Sequence, residues 1–309
     1  MADYSIGIDL GGTNLRAAAV SASGEMLKKI AGSTPISEGP DAVLDDMAQA
    51  VKSLFEEFGH DNLAGVGAGV PGNIDMEAGV VVRWGNAPGF NGYAMRDSLS
   101  QRLDRPVFLE NDANSAALGE CWIGAGREVE DLILLTLGTG IGGGIVSGGK
   151  ILHGAIGMAG ELGHITVVPN GNPCGCGNRG CVERYASATA IGAMARGVGL
   201  GTGLNAKDVA DLAHQGDDRA RQVYETAGET LGTALAALIN IFNFPLYLIG
   251  GGVVGSWDLL SPYMLTEIER RSLTYRLSLE GTPTKILPAA LGSDAGLFGA
   301  ASLAFNASK

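Results

Sequence analysis

Apolar positions along the chain recur with a period of two in some stretches and of three to four in others, and the switches between these periods mark the elements. Tyr4 to Leu10 alternates as a strand, Gly11-Gly12 makes a tight turn, and Thr13 to Val20 returns as a second strand. From Ala42 the apolar residues Val43, Leu44, Met47, Val51, Leu54, Phe55 and Phe58 follow helical spacing up to the breaker Gly59. Leu63 to Val70 is a strand of small residues, ending in the sharp turn that starts at Pro71-Gly72. Pro106 to Leu109 is a strand that leads through Glu110-Asn111-Asp112 into a helix from Ala113 to Trp122. The pattern then restarts, with a strand from Asp131 to Leu137, a turn at Gly138-Thr139-Gly140 and a returning strand from Ile141 to Val146. Helices follow around Ala186 to Arg196, Ala206 to Gln215 and Asp217 to Phe244, then a strand from Leu246 to Ile249 and a closing helix from Ala295 to Phe305. The interleaving of strands and helices predicts an α/β fold, and the two strand, glycine-turn, strand units at Asp9 and at Thr136 suggest a duplicated one.

Composition narrows this picture. A chain of 309 residues with 46% hydrophobic residues can bury one large core or two smaller ones. The net charge of -12, from 33 acidic against 21 basic residues, argues against nucleic acid or an anionic membrane as partner. Thr230 to Trp257 carries no charged side chain and is long enough to span a bilayer. Asn240, Asn243, Pro245 and the glycine run Gly250-Gly251-Gly252 argue instead for a buried helix, a strand and a turn. No signal peptide precedes the first strand, so a cytoplasmic protein is expected.

The candidate chemistry concentrates between Glu161 and Glu183. Three of the four cysteines lie there as Cys174, Cys176 and Cys181, with His164 upstream; one imidazole and three thiolates form a recognised tetrahedral zinc set. A disulfide is the weaker reading, because a Cys-x-Cys bridge is strained and a thiol would be left over. Glu161 and Glu183 bracket this knuckle and could accept hydrogen bonds from hydroxyl groups, although each taken alone reads as an ordinary solvated carboxylate. At Gly11, Gly12, Thr13 and Asn14, and again at Gly138, Thr139 and Gly140, backbone N–H groups unshielded by side chains could approach phosphate oxygens. Asp9 beside the first turn could meet a divalent cation. Asn86 lies in a loop with the breaker Pro88-Gly89, where a turn-stabilising amide is the plainer role. Asp112, taken by position alone, could be a helix N-terminal residue favoured by the dipole.

Gly-Glu-Leu-Gly-His at 160 to 164, followed by Cys-Gly-Cys-Gly-Asn-Arg-Gly-Cys-Val-Glu at 174 to 183, closely resembles the signature of the ROK family of bacterial sugar kinases and repressors. The resemblance extends to Asp9-Leu-Gly-Gly-Thr-Asn, Asn111-Asp112, the second glycine turn and Gly250-Gly251-Gly252, in family order, and so covers almost the whole chain. It implies the two-lobed fold shared by actin, hexokinase and the heat-shock chaperone ATPases, with a cleft between a small lobe at 1–112, joined by the closing helix at 295–309, and a large lobe at 113–294. It implies ATP with Mg²⁺ near Asp9, structural Zn²⁺ on His164, Cys174, Cys176 and Cys181, and a hexose held by Gly72, Asn86, Asn111, Glu161, His164 and Glu183. Asp112 would be the general base and Gly250 to Gly252 would pack beside the adenosine. D-glucose phosphorylated at its 6-hydroxyl is the expected reaction. N-acetylmannosamine, N-acetylglucosamine, fructose or allose as acceptor, polyphosphate as donor, and a non-catalytic sugar sensor are the alternatives. No DNA-binding domain is expected before Asp9, and a homodimer or homotetramer is. Because the turns at Gly11 and Gly138 lie elsewhere in the sequence, loss of zinc is expected to weaken sugar binding much more than nucleotide binding.

Overall fold

The computed structural model describes residues 3–307, which form two compact units. In chain order the first unit contains β1 (Tyr4–Leu10), β2 (Asn14–Ser21), β3 (Met26–Ser33), α1 (Pro40–Phe58), β4 (Leu63–Val70), β5 (Asn73–Asp75), β6 (Val80–Arg83), α2 (Met95–Leu103), β7 (Val107–Asn111) and α3 (Asp112–Trp122). The second begins with β8 (Leu132–Leu137); β9 (Ile141–Ser147) starts in it and returns to the first unit at Gly144, followed by β10 (Lys150–Ile151). The second unit resumes at Glu161 with α4 (Glu183–Ala186), α5 (Ala188–Gly197), α6 (Ala206–His214), α7 (Asp218–Phe242), β11 (Leu246–Gly250), α8 (Trp257–Arg271), α9 (Leu273–Ser278) and β12 (Lys285–Pro288). The chain ends in the first unit with α10 (Ala295–Ala307).

The first sheet has the order β3-β2-β1-β4-β7 and the second β10-β9-β8-β11-β12. Numbered within each half, both read 3-2-1-4-5, so the duplication suggested by two glycine turns extends to the strand order of both sheets. In the first, β1 and β2 run antiparallel while β1, β4 and β7 run parallel, which places the ends of β1, β4 and β7 on one edge. That edge carries Asp9, Gly72 and Asn111-Asp112, the position where open α/β sheets offer ligands the free ends of strands.

One face of this sheet buries Ile6, Ile8, Val66 and Ala68 against Val43, Leu44, Met47, Val51 and Leu54 of α1. The other face takes α10, with Ala18 and Val20 packed on Leu297 and Ala301, and at two glycines the backbones meet directly. A Cβ at Gly7 would lie 2.1 Å from the Leu297 carbonyl oxygen and one at Gly67 1.9 Å from that of Ala300. Helix α3 joins the same layer, since a Cβ at Gly119 would lie 2.2 Å from the Ala295 carbonyl oxygen. This packing moves the boundary expected at residue 112: the first unit runs on to Glu130 and also takes in Gly144–Gly160. A strand-to-helix junction resembles a boundary in sequence, but the small residues of α3 exist to bury it against α10.

The uncharged stretch from Thr230 to Trp257 resolves into the end of α7, β11 and a short 3-10 turn at Gly252–Ser256. Asn243, left-handed at φ 50°, stops α7 just before Pro245. Among the described residues no helix is long and apolar enough to cross a membrane. Helix α8 has no counterpart in the sequence reading; Pro262 lies inside it, and its buried apolar residues are Leu260, Met264 and Ile268, with Ser261 and Glu267 buried beside them.

Candidate active site

At the end of β1 the chain turns through Gly11 to Thr13. The Gly11 N–H donates to the Asn14 carbonyl at 2.8 Å, and Thr34 of the strand-end beyond holds the loop by donating its N–H to the Thr13 carbonyl at 3.0 Å. A Cβ added at Gly12 meets no atom within 4 Å, so the turn is open at that position. Asp9, 8% exposed, is ion-paired with Arg16, and Arg16 also donates to the Ser293 carbonyl at 2.6 Å. Burial raises the Asp9 carboxyl and the guanidinium opposes it. A hydrated cation beside Asp9 fits the charge of the site, but it would share the carboxylate with Arg16, a partner that strand alternation alone does not reveal.

At the end of β7 the helix cap is Asn111: its Oδ1 accepts from the N–H groups of Ala113 at 2.9 Å and Asn114 at 3.2 Å. Its Nδ2 donates to the Gly72 carbonyl at 3.1 Å, and Gly72 itself, at φ 93°, turns where a Cβ would lie 2.4 Å from the Arg83 carbonyl oxygen. The N-cap is therefore Asn111, and Asp112 is the first residue of the helix, where its Oδ1 also accepts from the Ala113 N–H at 2.9 Å. Asp112 keeps a limited opening to solvent while protein surrounds most of its carboxyl, and that desolvation, with the negative charge of Asp9 adding to it, pushes it up to about 6. The turn-stabilising amide in the next loop is Asn91, whose Oδ1 accepts from the Trp84 N–H at 2.7 Å, and Asn86 stands exposed.

In the second unit the four proposed metal ligands meet. His164 Nδ1 lies 3.6 Å from Cys174 Sγ and the Cys176 and Cys181 sulfurs are 3.7 Å apart; all four ligand atoms fall within 4.8 Å of one another. Tetrahedral zinc with Zn–S bonds of about 2.3 Å separates its sulfurs by about 3.8 Å, so the set fits the ion. Burial and the neighbouring thiols push Cys181 up to about 12, a direction that a bound cation would oppose. His164 Nε2 points the other way, 3.7 Å from a Glu161 carboxylate oxygen, which leaves that edge of the ring for a ligand while Nδ1 serves the metal.

Glu183 does not stand free beside the knuckle. Its Oε2 accepts from the Ile141 N–H at 3.0 Å, and a Cβ at Gly140 would lie 2.3 Å from that same oxygen. The Ala188 N–H donates to the Gly138 carbonyl at 2.8 Å. The knuckle and the second glycine turn are thus in direct contact although they lie apart in the sequence. The third glycine turn joins them. β11 runs parallel to β8 with Gly250 opposite Thr136, and a Cβ at Gly251, φ 85°, would lie 2.4 Å from the Leu137 carbonyl oxygen. Each unit therefore gathers its own share of the predicted residues: Asp9, Gly11 to Asn14, Gly72, Asn111 and Asp112 in the first, and Gly138 to Gly140, Gly250 to Gly252, Glu161, His164, Glu183 and the three cysteines in the second.

Comparison with known proteins identifies relatives over nearly the whole chain. A glucokinase of Thermotoga maritima is 38% identical, covering 96% of this chain and 96% of its own. An N-acetylmannosamine kinase of Escherichia coli is 33% identical over 98% of both. The crystal structure of a ROK family glucokinase from Streptomyces griseus, in complex with glucose and AMPPNP, superposes with a TM-score of 0.81 at 35% identity, covering 98% of this chain and 99% of that one. The ROK family model matches residues 5–307, a span that includes the glycine turns, the Asn111-Asp112 junction and the Cys/His knuckle, and the chain belongs to the ROK family.

Proposed function

We propose that the protein is an ATP-dependent hexose kinase that phosphorylates the 6-hydroxyl of D-glucose. The observation that carries this reading is Asp112, a carboxylate at the start of α3, directly after the Asn111 cap, that burial pushes up to about 6 although the Ala113 N–H donates to its Oδ1. In phosphoryl transfer the protein contributes positioning, charge neutralisation and a group to take the acceptor proton. Asp112 takes that proton as the hydroxyl oxygen bonds the γ-phosphorus of ATP, with ADP leaving. Asn111, through its remaining Nδ2 proton, and Asn86, Glu161, His164 Nε2 and Glu183 Oε1 hold the other hydroxyls. Gly11 to Asn14 and Gly138 to Gly140 take the phosphates and Gly250 to Gly252 the adenosine, and Asp9 would hold a Mg²⁺, whose charge would neutralise that of the phosphates. His164, Cys174, Cys176 and Cys181 would hold a zinc ion, which would fix the knuckle. Glucose fits better than an N-acetylhexosamine because the curated relatives named glucokinase are the more similar ones. The site works in the cytoplasm, where ATP and reduced thiols are both available, and in a homodimer or homotetramer.

A coupled assay over a hexose panel with ATP and Mg²⁺ tests this directly. Glucose should give a higher kcat/KM than N-acetylmannosamine or N-acetylglucosamine; the reverse order would move the protein to amino-sugar chemistry, and sugar binding without turnover would make it a sensor. Polyphosphate in place of ATP, run in the same panel, identifies the donor.

The pH dependence follows from the same carboxyl. The base acts only when ionised, so kcat/KM for glucose should be flat above about pH 7 and fall about tenfold per unit below about pH 6. An acid limb centred near 4, the ordinary value of an aspartate, would show that Asp112 is not the base or is not desolvated.

A further inference from the structure

Glu110 immediately precedes Asn111-Asp112 and is 2% exposed, yet its carboxylate is saturated. Oε1 accepts from the Asn111 N–H and from Asn114 Nδ2, both at 2.9 Å, and Oε2 lies 2.7 Å from His153 Nε2. These partners come from β7, from α3 and from the loop that follows β10. An apolar residue of similar volume would fill the position with no desolvation cost, so three well-made hydrogen bonds to a buried charge point to a task other than stability. The hydrogen bond to Glu110 also raises the His153 imidazole, against the effect of burial, so Nε2 retains its proton toward neutral pH.

The loop that carries His153 lies beside the same machinery. The Ala159 N–H donates to the His153 carbonyl at 3.0 Å, and Gly157, at φ 74°, sits where a Cβ would lie 2.6 Å from the Ile74 carbonyl oxygen. Asn73 Nδ2 contacts Met158 Sδ at 2.8 Å, which ties the loop to β5 just after Gly72. Ile156 stands 76% exposed at its tip.

We propose that His153 is a positioning residue for phosphoryl transfer: through Glu110 it fixes the Asn111-Asp112 cap, hence the direction of the base, and docks the loop at 152–160 on the same carboxylate. The inference deepens the hexose-kinase reading and rests on it. With the bond removed, Glu110 can tilt toward solvent, the Asn111 N–H and Asn114 amide lose their acceptor, and Asp112 loses its alignment with the acceptor hydroxyl. A misplacement of about 1 Å costs up to about 10²-fold in rate, and a group acting one residue away should cost about tenfold.

The test compares His153→Leu, His153→Asn and His153→Gln with wild type in steady-state kinetics with glucose and ATP. Gln can place an N–H where His Nε2 stands; Asn is one bond too short, and Leu has no donor. Leu and Asn should lower glucose kcat/KM about tenfold, chiefly in kcat, with KM for ATP unchanged, and Gln should recover to within about threefold of wild type. If His153→Leu does not fold, Asn and Gln carry the comparison, since both are polar and His153 is only half-buried. Wild-type kinetics in His153→Asn, equal losses in Asn and Gln, or a lowered melting temperature with unchanged kcat would overturn the proposal. Wild type that phosphorylates no hexose would instead sink the kinase reading before any variant is compared.

Discussion

Replacing Asp112 by Asn should lower kcat for glucose by about 10²-fold or more while sparing sugar and nucleotide affinity, because the amide cannot take the acceptor proton. The same change should stabilise the protein at neutral pH. A carboxyl whose folded value is raised from about 4 to about 6 binds its proton more tightly in the folded state, so the folded state gives up stability as pH rises through that window. Above about pH 6 the ionised Asp112 costs at most about 3 kcal/mol, and an amide of the same shape removes that cost. The helix start is not at risk, since Asn111 makes the cap. Asp112→Asn should therefore melt a few degrees above wild type at pH 7.5, and the gap should close as pH falls below about 4. Thermal melts at three pH values and glucose turnover at pH 7.5 check both halves. Near-wild-type turnover would remove Asp112 from the base role; a lower melting temperature at pH 7.5 would show that the carboxylate has a stabilising partner in the folded state.

The repeated strand, glycine-turn, strand pattern was legible because it rests on local signals: alternation in Tyr4 to Leu10 and Leu132 to Leu137, and glycines where the backbone turns. The Cys/His cluster was legible for the same reason, three cysteines and a histidine at metal spacing within a short segment. What was not legible depends on contacts between residues distant in sequence. Arg16 faces Asp9 only because β1 and β2 pair antiparallel with those two residues opposite each other. Asn111 and not Asp112 caps α3 because the Gly72 carbonyl, after β4, holds the amide in place. His153 meets Glu110 across 43 residues, and a single histidine in a glycine-rich loop carries no spacing signal. The extent of the first unit was hidden for a related reason, since only the packed structure shows α3 and α10 meeting backbone to backbone.

The change with the widest reach should be Cys176→Ser, which removes one zinc ligand. A site that loses its metal is among the single changes that cost roughly 4 kcal/mol, and at about 2–4 °C per kcal/mol for a domain of this size the melting temperature should fall by roughly 10 °C. Complete unfolding is not expected. The second unit has its own core around β8, β11 and α7, unlike a small zinc domain whose folding depends on the ion. Glucose affinity should fall because His164 Nδ1 loses its anchor and Nε2 its direction. Nucleotide affinity should fall as well, contrary to the order of the sequence: α4 follows Cys181 directly, Glu183 of α4 bonds the Ile141 N–H, and the glycine turn at 138–140 takes its shape from that contact. Elemental analysis should find zinc equimolar with the wild-type chain and absent from Cys176→Ser, and calorimetry should find weaker binding of both glucose and a non-hydrolysable ATP analogue. Glu183→Gln separates the two routes, since its Oε1 amide oxygen can still accept from Ile141 N–H while the knuckle keeps its metal; it should retain zinc and nucleotide affinity and lose glucose affinity. Zinc-free wild type would sink the metal assignment. Nucleotide affinity untouched in Cys176→Ser would mean that the turn is held by its own Gly138 N–H to Gly140 carbonyl bond of 2.9 Å and that the influence of the metal stops at Glu183.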